Sequence, residues 1–77
     1  MNEFVSEKYE PFANELAEKI KKRRAMKNWS QEELAEKIGK SRSYIAYIEQ
    51  SRRIPSTKTL HDIAEAFGVK VATLLRD

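Results

Sequence analysis

The chain has 77 residues, 40% of them hydrophobic and 35% charged, with a formal net charge of +3 at pH 7. This ordinary globular composition allows one small core, and it excludes a cleft between two lobes and an intrinsically disordered chain. The absence of cysteine excludes disulfides, thiolate metal sites and thiol nucleophiles.

In chain order the pattern predicts helices and turns throughout, with a lead-in over residues 1–10 and one domain over residues 11–77. Pro11 suits the first turn of a helix, and Phe12, Leu16 and Ile20 recur every fourth residue, so a first helix is expected over residues 11–27. Asn28 is its left-handed stop. Ser30 caps a second helix, and Glu33 completes a capping box. Trp29 before the cap and Leu34 after it are placed as a hydrophobic staple. Gly39 then supplies the positive φ of a sharp turn.

Ser41 caps a third helix, expected over residues 42–50, and a basic loop from Gln50 to Pro55 follows it. Ser56 caps a fourth helix with an apolar stripe of Leu60, Ile63, Ala64 and Phe67, stopped by Gly68. A last short helix over residues 71–76 offers Val71, Leu74 and Leu75, and Lys70 is a poor cap for it. Within this series, Ala35, Gly39, Ile45 and Ile48 have the spacing of a helix-turn-helix. Ala35 is small where two helices cross, and Ile45 and Ile48 form the inward stripe of the second of them.

Charge is unevenly spread. Residues 1–18 carry a net −4, residues 19–58 a net +8 and residues 59–77 a net −1. The positive stretch coincides with the helix-turn-helix, where a polyanion would be met.

From Leu16 to Leu75 the chain resembles the Cro/repressor-type helix-turn-helix family of phage repressors, restriction–modification controller proteins and many antitoxins. The residues that carry the resemblance are Trp29 to Gly39, Ser41 to Glu49, Pro55 to Leu60 and Ile63 to Val69. The resemblance implies an all-α, five-helix lambda-repressor-like domain that binds double-stranded DNA, with the third helix as the recognition helix. Arg42 stands where the family presents its first base-reading side chain, and arginine suits the O6 and N7 atoms of guanine. Ser43 and Tyr47 share its outward face, and Ala46 between them is small enough to approach a thymine methyl. Tyr44 is open to two roles, DNA contact or half of the core.

Gln31 begins the second helix, where unpaired amides and the helix dipole favour an anion. The resemblance gives it a phosphate and the bracing of the recognition helix. Lys40, Ser41, Arg52 and Arg53 flank the third helix as phosphate partners. Ser51 departs from the family, which usually has glycine there, and this leaves the aim of Arg52 and Arg53 open. Arg24 and Glu49 match a family ion pair tying the first helix to the third, although the same arginine could face a phosphate or a dimer partner. Arg23 joins the solvated basic face of Lys19, Lys21, Lys22 and Lys27.

One recognition helix reads few base pairs, so a homodimer on a palindromic operator is expected. The family dimerises at its C-terminal end, where Val69, Val71, Leu74 and Leu75 are the candidates. Closure of the monomer core is the competing use of these four. No cofactor, metal or catalytic set is expected, since His61 is the single histidine and Ser30, Ser41 and Ser56 serve as caps. No apolar run reaches the roughly 20 residues of a membrane span, and residues 1–5 lack the pattern of a signal peptide, so a cytoplasmic location without membrane association is expected. The acidic, aromatic segment with Glu3, Phe4, Glu7, Tyr9, Glu10 and Phe12 resembles the lead-in of toxin-neutralising members. A protein toxin is therefore the alternative partner, and a plain helix extension is the simpler use of the segment.

Overall fold

The computed structural model describes residues 5–75. The expectations that fall on residues 1–4, Glu3 and Phe4 among them, and on the last helix's end at residue 76 lie outside the described residues.

Helix ends fix the chain path before any packing is considered. Among the described residues there are five helices, α1 (Glu10–Lys27), α2 (Gln31–Lys37), α3 (Arg42–Glu49), α4 (Thr57–Phe67) and α5 (Val71–Leu75), after one 3-10 turn at Glu7–Tyr9. No strand occurs among the described residues. Ser30, Ser41 and Ser56 each accept a backbone N–H three residues ahead, from Glu33, Tyr44 and Thr59. At Ser30 the box is reciprocal, with the Ser30 N–H donating to Glu33 Oε1 at 2.7 Å. These side chains satisfy amides that the first helical turn leaves unpaired.

The C-terminal ends of α1 to α4 share another device. Asn28, Gly39, Ser51 and Gly68 all take positive φ, between 60° and 74°. Past each of them the next amide reaches back five residues, from Trp29 to Arg24, Lys40 to Ala35, Arg52 to Tyr47 and Val69 to Ala64. This is the Schellman arrangement, in which a left-handed residue lets two orphan carbonyls be paired as the chain turns away. Glycine fills two of the four positions, and asparagine tolerates the third.

The core lies where these helices meet. Leu16, Ile20, Leu34, Ile45, Ile48, Ile63 and Leu74 are almost fully buried. α3 packs on α1 and α2, and α5 packs on α1 and α4. Trp29 is half-buried against the cluster that holds Leu34, and its ring stacks on Phe67 with centroids 5.5 Å apart. Trp29 thus ties the α1–α2 turn to α4.

Three particulars differ from the sequence reading. Phe12 is 38% exposed, while Ala13 and Ala17 are buried with Leu16 and Ile20. The inward face of α1 is set by where neighbouring helices come close, and alanine fits there where phenylalanine does not. Ala46 is 9% exposed and belongs to the buried side of α3, so no methyl is presented for a thymine. The chain is also helical earlier than expected, with the 3-10 turn leading directly into α1 at Glu10.

Candidate nucleic-acid interface

The direction of α3 follows from its periodicity. Ile45 and Ile48 point into the core, at 0% and 1% exposure, which turns Arg42 and Ser43 to solvent and leaves Tyr44 and Tyr47 half-buried at the flanks. Gln31 is half-buried, and Lys40, Ser41 and Arg53 are exposed around the two ends of α3. Every residue expected at the DNA surface therefore reaches solvent at least in part. The Ser41 hydroxyl oxygen accepts from the Tyr44 amide at 3.2 Å, and its own proton remains to be donated elsewhere.

The last turn of α3 holds the one buried carboxylate of this region. Glu49 is 6% exposed and receives a bidentate grip from Arg24, with Nε to Oε2 at 2.7 Å and Nη2 to Oε1 at 2.9 Å. Gln31 Nε2 donates to the same Oε1 at 3.0 Å. Arg24 Nη1 also donates to the Trp29 carbonyl at 2.8 Å. Its hydrogen bonds to Glu49 hold the Arg24 guanidinium above its ordinary pKa, against the opposing effect of burial and with the carboxylate's charge adding to the rise. One carboxylate thus joins α1, the start of α2 and the end of α3 through charge-assisted bonds.

Burial of Glu49 also shapes the surface charge. Between Lys37 and His61 it is the sole acidic residue, and it is neutralised inside the fold. What is charged and exposed over that stretch is cationic: Lys37, Lys40, Arg42, Arg53 and Lys58, the last paired with Asp62 at 3.0 Å, with Arg52 half-buried beside them. Such a surface attracts a polyanion without competition from an internal carboxylate.

The loop after α3 brings a feature the sequence reading missed. Ser51 occupies the left-handed stop with φ 62°, and the chain turns so that the Arg52 guanidinium lies over the Tyr47 ring, 5.0 Å from its centroid. The Arg53 guanidinium lies 5.6 Å from the Tyr44 centroid, and Lys40 Nζ is 5.3 Å from the same ring. The sequence signal was the pairing of aromatic residues in a helix with cations in both flanking loops. Register alone did not show which cation meets which ring.

At the C-terminal end, Leu74 is committed to the core at 1% exposure, Val69 and Val71 pack partly buried against it, and Leu75 is 38% exposed. Leu74 therefore offers no surface to a partner. Among the described residues there is no group of three or more His, Cys, Asp or Glu able to hold a metal ion. No described helix is long and apolar enough to cross a membrane.

A helix-turn-helix whose second helix is held by a buried ion pair and ringed by cations defines a nucleic-acid-binding class of protein. Comparison with known proteins agrees. Residues 20–74 match the helix-turn-helix family. An HTH-type transcriptional regulator of Methanocaldococcus jannaschii, itself uncharacterised, is 45% identical over 56 residues, covering 73% of this chain and 85% of its own. The immunity repressor protein of Bacillus phage phi105 is 40% identical over 78% of this chain, and the match spans 42% of that longer protein. Among solved structures, a hypothetical transcription factor from Neisseria superposes with a TM-score of 0.81 at 34% identity, covering 84% of this chain and 75% of that one. The chain belongs to the helix-turn-helix family in its Cro/repressor type, a class of DNA-binding transcriptional regulators.

Proposed function

We propose that this chain regulates transcription as a homodimer that binds a palindromic operator, with α3 in the major groove. The observation that carries this reading is the exposed first turn of α3, together with the burial and pairing of Glu49, the single carboxylate between Lys37 and His61. Arg42 is the base-reading residue, with its guanidinium matched to guanine O6 and N7, and Ser43 lies beside it. Gln31, Lys40, Ser41, Arg52 and Arg53 hold phosphates and so fix the depth and angle of α3. Gln31 uses one amide hydrogen on Glu49, which leaves the second for a phosphate oxygen. Occupation of an operator by such a small domain suits repression, in keeping with the repressor to which it is similar.

The test is selection of bound sequences from a random duplex pool. The expected outcome is a twofold-symmetric consensus with half-sites separated by about 34 Å, one helical turn. Enrichment of no sequence over the starting pool would overturn the reading. A second reading, a toxin-neutralising role alongside DNA binding, draws on Tyr9 and Phe12, which are 51% and 38% exposed beside Glu7 and Glu10. If it holds, a small basic protein encoded beside this chain binds the purified domain, and Phe12→Ser weakens that binding without altering DNA affinity. Absence of binding to such a neighbour ends that reading.

A further inference from the structure

The tyrosines of α3 are placed differently from its exposed residues. Tyr44 and Tyr47 are half-buried, and their rings are met by cations from the two loops that bracket the helix. Lys40 comes from the turn before α3, while Arg53 comes from the loop after it, and both lie within the roughly 6 Å over which a ring face attracts a cation. Arg52 has a further constraint. Its amide donates to the Tyr47 carbonyl at 2.8 Å in the turn made by Ser51, and its guanidinium returns to the ring of that same tyrosine. In a Schellman turn this pair of positions usually makes an apolar contact. Here it is filled by an aromatic ring and a cation.

We infer that Tyr44 is a positioning residue, an aromatic seat that holds Lys40 and Arg53 in place for two phosphates on either side of the recognition helix. The inference rests on the DNA-binding reading of α3 and assigns Tyr44 to the sugar–phosphate backbone and not to the bases. Long flexible cations lose rotamer freedom when they grip a phosphate, and a ring that already orders them removes part of that loss before DNA arrives. Tyr47 serves Arg52 in the same manner. Arg42 and Ser43, exposed in the first turn, are left to read base edges.

The experiment compares wild type, Tyr44→Phe and Tyr44→Leu on the selected operator and on random-sequence duplex over a range of salt. Phenylalanine keeps the ring face, so Tyr44→Phe is expected to bind both within about twofold of wild type. Tyr44→Leu is expected to lose about tenfold on both duplexes at low salt. Its salt dependence is expected to fall by about one to two counterions per subunit. Arg53→Ala is expected to cost less in the Tyr44→Leu background than in wild type. In the free wild-type protein, the side-chain methylene protons of Lys40 and Arg53 are expected at upfield-shifted positions under the ring, a measurement that needs no folded leucine variant.

Equal losses from Tyr44→Phe and Tyr44→Leu would place the function in the hydroxyl and overturn the proposal. So would a Tyr44→Leu loss confined to the operator, an Arg53→Ala cost unchanged by the leucine, or random-coil shifts for both methylenes. If wild type binds no duplex at all, the DNA-binding reading fails and takes the seat with it. If wild type binds and only these signatures are missing, the seat alone fails.

Discussion

Removing a carboxylate from water costs several kcal/mol, and Glu49 bears that cost with its side chain 3% exposed. Two arginine bonds and the Gln31 amide compensate it, so the two sides of the pair are unequal. Arg24→Met leaves a buried anion with one neutral donor and is expected to cost about 3–5 kcal/mol. Glu49→Gln leaves an arginine whose side chain is 20% exposed and able to find water, so a smaller loss of about 1–2 kcal/mol is expected. Denaturant unfolding of both variants tests this, and a larger loss from Glu49→Gln would refute the asymmetry. A domain of this size has little stability to spare, so Arg24→Met is expected to sit near the folding threshold. Arg42 is exposed and has no comparable role in the fold. Arg42→Ala should leave stability unchanged and lower operator affinity by about 1–3 kcal/mol, with relaxed preference at one base pair per half-site. An equal loss on random duplex would show that Arg42 meets only phosphate.

At the level of elements, the four left-handed stops control where helices point, and Ser51 is the least suited of their occupants. A side chain in the left-handed region costs about 1–2 kcal/mol, and glycine recovers part of this while losing some chain entropy. Ser51→Gly is expected to stabilise the domain by about 0.5–1 kcal/mol, seen as a higher denaturant midpoint with an unchanged slope. Since the turn is retained, Arg52 keeps its place on Tyr47 and DNA affinity should be unchanged. Destabilisation would mean that the serine side chain makes a contact worth more than the strain. These ends also mark what the sequence discloses. Ser30, Ser41, Ser56, Asn28, Gly39 and Gly68 were legible because capping is a local exchange between neighbours in the chain. Phe12 and Ala46 were misjudged because burial depends on how near another helix passes, which residue type alone does not report. The rings over Lys40, Arg52 and Arg53 were hidden for a related reason. The seats of Arg52 and Arg53 depend on the turn at Ser51, where serine holds the left-handed conformation usually given to glycine, and that of Lys40 on the turn at Gly39.

For the whole molecule, the proposed function raises the question of how a domain that presents one short helix to DNA selects a site. On the proposed reading Arg42 and Ser43 reach too few bases for an operator to stand out among the sites of a genome, and two copies related by a twofold axis would double the sequence read. An interface of that kind uses the same patch on both subunits. On α5 the two adjacent leucines have different surroundings, with Leu74 1% exposed in the monomer core and Leu75 38% exposed. The pair therefore allows folding and the proposed association to be tested separately. Leu74→Ala removes buried methyl groups and is expected to cost about 2–5 kcal/mol of stability even in the monomer. Leu75→Glu leaves the core intact and places a charge where a twofold partner would set its own, so like charges meet across the axis. The expected result is a folded monomer in sedimentation equilibrium that still binds an isolated half-site and loses its advantage on the full palindrome. If Leu75→Glu sediments as wild type does and keeps its full-site affinity, the subunits associate through some other face.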